Sequence, residues 1–198
     1  MYKSTITPEE IAEMNLAVFP GKITVITKKD RNYKRAIKHL SEQRFIGFDT
    51  ETRPVFVPNA RRCSTALLQL SSESEAFLFR LQELGLPDDL AAILADPDIT
   101  KIGAAVTDDI RGLQRYNHFE PSRFVDLQHI GSRYGIEDKS VKKMSAIILS
   151  LHVSKAQQCS NWEAETLSEA QQMYAAIDAW ICVKMYKKLL ASPTVSQE

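Results

Sequence analysis

No stretch of this 198-residue sequence comes near the ~18–20 consecutive apolar residues of a membrane span. The opening segment, MYKSTITPEEIAEMN, is polar and acidic, so it does not read as a secretory signal. Cysteine is scarce. Cys63, Cys159 and Cys182 stand far apart with no Cys-x-x-Cys pair, which excludes a zinc ribbon and a thioredoxin-type motif. Few, odd-numbered thiols without a signal fit a reducing cytosol, and a cytoplasmic location is expected, nuclear in a eukaryote. His39, His118, His129 and His152 form no His-Glu-x-x-His, so zincin chemistry is excluded. Net charge is also missing: 25 Lys+Arg face 25 Asp+Glu. Any attraction to a polyanion must therefore come from local basic patches. No internal repeat, low-complexity run or linker breaks the chain.

What remains is an ordinary globular composition, 44% hydrophobic and 25% charged. A chain of this length buries roughly 70% of its unfolded surface, enough for one sizeable core, so one domain is expected. Thr7-Pro8-Glu9-Glu10 signals a helix start, with a capping box and Pro at the first position. Lys22–Thr27 alternates like a half-buried strand. A helical pattern follows over Arg31–Glu42, and Phe45–Asp49 reads as a buried strand ending in a carboxylate. Thr65–Ser71 and Glu75–Leu81 read as a hairpin joined by Ser72-Glu73-Ser74. A helix over Pro87–Leu94, a short strand at Ile102–Ala105, a helix from Asp108 and a short segment at Phe124–Leu127 follow. Helices are expected through Gly131, over Lys143–Leu151, and over Ser168–Leu190, the longest pattern. Strands first, then helices alternating with strands, make a mixed α/β sheet of about five or six strands flanked by helices.

Three groups of carboxylates carry the chemistry. In Asp49-Thr50-Glu51, residues two apart on a strand share a face. Two like charges at a dry site are costly unless a cation sits between them, and hard oxygens suit Mg²⁺ or Mn²⁺. The plainer alternative is an acidic strand end that is solvated or caps a turn. Asp108-Asp109 follows Thr107, a candidate helix cap. At about 100° per residue, Asp109 falls near the packed face marked by Ile110 and Leu113, and Asp108 nearly opposite. Tyr174, Ile177, Asp178, Ile181 and Met185 form one apolar helical stripe. A carboxylate there needs a metal or a partner; the alternative is a Tyr–Asp or Asp–Arg pair in the core. Four carboxylates converging on one place could hold two divalent cations, the arrangement for in-line displacement at phosphorus.

The order and spacing of these groups resemble the DEDDy-type 3′→5′ exonucleases of the ribonuclease H-like fold. Phe48-Asp49-Thr50-Glu51 matches the first motif of that family, and Lys101-Ile102-Gly103 leading to Asp109-Ile110-Arg111-Gly112-Leu113 the second. Tyr174-Ala175-Ala176-Ile177-Asp178 matches the third. Ser160-Asn161-Trp162, with Gln171 to Ala176, looks most like the branch that holds the Werner syndrome exonuclease domain, with ribonuclease D more distant. The resemblance covers about residues 22–190 and implies a single stand-alone nuclease domain over 1–198. It implies that Asp49, Glu51 and Asp178 hold the ion activating the attacking water. Asp49 would bridge to a second ion, with Asp109 acting there partly through water. Tyr174 would orient the water. The implied products are nucleoside 5′-monophosphates. The implied substrate is a single strand or the 3′ end of a duplex, with DNA slightly favoured. The implied alternatives are RNA 3′-end trimming and a catalytically weak binding module. Protein partners would supply affinity that the neutral chain lacks.

Further contacts are assigned from position alone. Arg61, Arg62, Lys155 and Trp162 are candidates to touch nucleic acid, Trp162 with packing as the commoner alternative. Phe56, Val57, Leu68 and Gln69 are candidates to wedge the terminal base. Lys184, Lys187 and Lys188 read as the polar face of the last helix.

Overall fold

A computed structural model describes residues 2–54 and 64–194. In chain order the elements are α1 (Pro8–Ala12), β1 (Lys22–Ile26), α2 (Arg31–Ser41), β2 (Phe45–Thr52), β3 (Thr65–Ser71), β4 (Glu75–Arg80), α3 (Leu81–Leu84), α4 (Asp88–Ala95), β5 (Thr100–Gly103), α5 (Val106–Leu113), β6 (Phe124–Asp126), α6 (Leu127–Ser132), α7 (Val141–Leu149) and α8 (Glu169–Leu190). The strands form one six-stranded sheet in the order β1-β4-β3-β2-β5-β6. β2, β3 and β4 are an antiparallel meander, while β1 joins β4, β5 joins β2 and β6 joins β5 in parallel. The sheet is mixed, as the sequence predicts.

Alternation along the strands divides the core. Phe48, Leu68, Leu70, Phe77 and Phe79 face α2 and α4, where Tyr33, Ala36, Leu40, Leu90 and Leu94 complete one cluster. Fully burying an aliphatic or aromatic side chain of this size is worth roughly 1.5–3 kcal/mol. On the other side α8 lies across the sheet, with Leu67 and Leu78 against Trp162, Leu167 and Ala175. Ile102 packs with Ile181, Met185 and the residues of α6 and α7. Among the described residues no helix is long and apolar enough to cross a membrane.

The helix starts follow their caps. Thr7 and Glu10 close a capping box on α1, and Ser168 and Gln171 close another on α8. Several boundaries depart from the sequence reading. β2 does not end at Asp49. Thr50 and Glu51 pair with Leu68 and Leu67, and the ladder shifts register only after Glu51. The two carboxylates therefore lie inside a paired strand. β5 runs Thr100–Gly103 rather than Ile102–Ala105, because Ala105 sits in the left-handed region at φ 57° and starts α5. Thr107 is thus inside the first turn and caps nothing; the Ala105 N–H is instead held by Asp126 Oδ1 at 3.1 Å. α7 starts at Val141, capped by Ser140, and stops at a left-handed Ser150.

Candidate active site

The site forms where β2 passes under α8. Gly47 makes this possible. A Cβ built there would stand 1.8 Å from the Ala179 carbonyl oxygen, so only glycine lets the helix backbone rest on the strand. That contact brings Asp178, the residue before Ala179, down to the level of Asp49. Asp49 and Glu51 project from the same face of β2. Oxygens of Asp49, Glu51 and Asp178 all lie within 4.8 Å of one another. No ion pair among the described residues involves any of the three.

Burial without a cation shows in their acidities. Loss of solvent, then the charges of Asp178, Glu51 and Asp109, push Asp49 well above the carboxylate range. Burial raises Glu51 to about 9, reinforced by Asp178 and Asp109. Burial raises Asp178 to about 7, against the opposing pull of the Tyr174 hydroxyl and of Lys155. Tyr174 lies one turn before Asp178 and is itself raised, by burial first and then by the surrounding carboxylates, so it keeps its proton at neutral pH. Three buried hard oxygen donors with no salt bridge among the described residues fit a divalent cation such as Mg²⁺ or Mn²⁺. A cation between them favours the charged form of each and so opposes all three shifts.

The cluster opens into a cavity of about 290 Å³, lined also by Tyr174, Ser140, Lys142, Ser154, Lys155 and Gln158. Lys155 is exposed at this rim. Asp109 is held apart from the three. Thr50 Oγ1 donates to Asp109 Oδ1 at 2.5 Å, and burial raises Asp109 only to about 6, with the Thr50 hydrogen bond opposing. Asp108 points away, 80% exposed on its side chain and 3.2 Å from Arg111. A cleft of about 580 Å³ adjoins this side, lined by Thr50, Asp109, Arg53, Arg111 and Arg115 among others.

Several expected contacts are corrected. Trp162 is fully buried in the α8-side core, with its ring centroid 5.9 Å from that of Tyr174. It cannot stack on a base, and it instead backs the tyrosine. Its loop is anchored by Arg80, whose Nη2 donates to the Ala164 carbonyl at 2.6 Å. Leu68 and Gln69 are also fully buried in β3 and cannot wedge a terminal base. Gln69 stands in register with Asp49, and neither polar atom of its amide has a partner among the described residues. Arg61, Arg62, Phe56 and Val57 lie outside the described residues. Lys101 is structural: its ammonium is buried against the Asp96 and Ile99 carbonyls at 2.8 and 2.7 Å. The sequence reading missed Thr50, whose hydroxyl sits inside the Asp-Thr-Glu motif, and the arginines of the adjoining cleft. The Arg53-Pro54 step and the Arg at 111 and 115, one helical turn apart, are the signals that were there to be read.

A mixed sheet crossed by a long C-terminal helix, with an acidic cation site at their crossing, defines an α/β protein of the ribonuclease H-like class. Residues 24–192 match the 3′-5′ exonuclease family, and the chain belongs to it. It is 35% identical over 155 residues to exonuclease 3′-5′ domain-containing protein 2 of Drosophila melanogaster, covering 76% of this chain and 26% of that protein. It is 31% identical over 159 residues to the Mus musculus bifunctional 3′-5′ exonuclease/ATP-dependent helicase WRN, covering 76% of this chain and 11% of that one. The chain thus spans about a quarter or less of these relatives' lengths. Among solved structures, Escherichia coli RNase D superposes with a TM-score of 0.75 at 24% identity, over 85% of this chain and 44% of that one. That likeness shows the shared fold.

Proposed function

We propose that the protein is a two-metal-ion 3′→5′ exonuclease that removes nucleoside 5′-monophosphates from the 3′ end of a nucleic acid strand, DNA in preference to RNA. The observation that carries this reading is the trio Asp49, Glu51 and Asp178, with oxygens within 4.8 Å of one another and no salt bridge among the described residues.

Asp49, Glu51 and Asp178 would hold one ion, and Asp49 with Asp109 a second. Bound there, divalent cations supply water activation near neutral pH and stabilise charge on the departing 3′ oxygen. The chain's own groups do the rest. Tyr174, still protonated, orients the attacking water and does not abstract its proton, since its acidity is shifted further from neutrality. Water oxygen bonds to phosphorus, the bond from phosphorus to the 3′ oxygen breaks, and that oxygen leaves with a proton. Lys142 and Lys155 at the rim offset phosphate charge. Trp162 fixes the tyrosine ring from behind.

A gel time course on 3′- and 5′-labelled DNA and RNA oligonucleotides, with Mg²⁺, Mn²⁺ or EDTA, tests this. The expected result is a metal-dependent ladder that shortens from the 3′ end, faster on DNA. A faster ladder on RNA moves the assignment to RNA trimming. No cleavage by folded protein with either metal overturns the enzymatic reading.

A further inference from the structure

Successive strand residues point to opposite faces, so Thr50 leaves β2 on the side away from Asp49 and Glu51. There its hydroxyl meets Asp109, which arrives from the first turn of α5, at 2.5 Å. Both residues line the cleft that also contains Arg53, Arg111 and Arg115. Arg53 is paired with Glu163 at 3.3 Å and Arg111 with Asp108 at 3.2 Å. Arg115 shares the cleft with Asp109. A guanidinium is a strong competitor for a carboxylate, because it offers two charge-assisted donors in a fixed fork. The short hydroxyl contact keeps Asp109 on the strand instead. It uses Oδ1 and leaves Oδ2 for a ligand.

We propose that Thr50 is a positioning residue: its hydroxyl fixes Asp109 against β2 and so sets how tightly the Asp109 side of the site takes its divalent ion. The proposal rests on the two-ion reading above and goes beyond it. Outer partners of metal-binding carboxylates fix their orientation, and losing one typically weakens metal affinity roughly 10- to 100-fold. The side-chain requirement is narrow. Serine keeps the donor. Valine keeps the β-branched shape that suits a paired strand but has no donor.

The test is a Mn²⁺ titration of the full chain in the presence of a nucleoside 5′-monophosphate, with free ion read by electron paramagnetic resonance. Wild type, Thr50→Val, Thr50→Ser and Asp109→Asn are compared. Wild type is expected to take up two ions. Thr50→Val should leave the tighter event unchanged and weaken the second roughly tenfold. Thr50→Ser should restore the wild-type isotherm, and Asp109→Asn should weaken the second event at least as much as Thr50→Val. Should valine disturb the strand, as judged by the melting curve, Thr50→Ala provides the same deletion. A wild-type isotherm from the donor-less variants overturns the proposal, as does tighter second binding or a serine variant that behaves like valine. A single ion on wild type overturns the two-ion reading and this assignment with it, so the two failures are read from different curves.

Discussion

Asp178 and Asp109 approach strand β2 from opposite helices, and their surroundings differ in kind. On the α8 side, Asp178 meets Asp49 and Glu51, and burial raises the pKa of all three carboxyls. On the α5 side, Asp109 already has a donor in Thr50 and is displaced only to about 6. The first arrangement is incomplete without an added positive charge; the second is satisfied as it stands. Affinity for a first ion should therefore come from compensating buried carboxylate charge, and affinity for a second from geometry.

The comparison breaks most visibly under substitution of the trio. Asp49→Ala and Asp178→Asn are expected to reduce hydrolysis below detection while the metal-free fold is retained; normal turnover of either would remove the trio from the chemistry. Asp109→Asn should cost roughly 100-fold in kcat, the scale of losing one electrostatic stabiliser. Asp108→Asn, whose side chain is solvated, should change kcat by less than about threefold, as surface substitutions do. Equal losses at 108 and 109 would contradict the observed directions of the two side chains. Tyr174→Phe should lower kcat roughly 10- to 100-fold with little change in KM, the range seen when an orienting group is lost.

A gentler way to sharpen the contrast is pH. Glu51 and Asp178 hold their protons up to about 9 and about 7 in the folded protein, whereas unfolded carboxylic acids release theirs near pH 4. The folded state binds more protons across that window, so the metal-free protein is most stable below it and loses stability as pH rises from about 4 to about 9. The slope is roughly 1.4 kcal/mol per pH unit for each proton retained. Melting temperatures measured in EDTA should fall over this range, and saturating Mn²⁺ should flatten the curve. Glu51→Gln should flatten it in EDTA as well. A flat metal-free profile would mean that the trio is already neutralised by some other group.

Local signals were legible in the sequence and long-range ones were not. The capping boxes at Thr7 and Ser168 need only neighbours within one turn, and both form where the sequence places them. The apolar stripe through Tyr174 and Asp178 and the same-face spacing of Asp49 and Glu51 depend only on helical and strand periods. The extension of β2 past Asp49 depends on Leu67 and Leu68, about 17 residues away across the sheet. The early end of β5 depends on a left-handed Ala105 tied to Asp126. Gln69 looks like a recognition residue in a linear reading but is fully buried in β3, whereas Trp162 packs, the commoner of its two readings. Thr50 was overlooked because its partner lies 59 positions away.

The seat of α8 on Gly47 has a consequence for how variants of this protein should be sorted. The spacing between Asp49 and Asp178 is set there by backbone against backbone, with the Ala179 carbonyl oxygen only 1.8 Å from where a methyl carbon on Gly47 would sit. Gly47→Ala must lift the helix or bend the strand, at a cost of about 1–3 kcal/mol for the overpacking, and it pulls the carboxylates apart as it does so. In a saturation screen scored on nuclease output alone, position 47 would group with the acidic residues, although it touches neither ion nor substrate. Scoring the same library for folded abundance would separate them: the carboxylate variants would accumulate at least as well as wild type, and every replacement at 47 would be depleted.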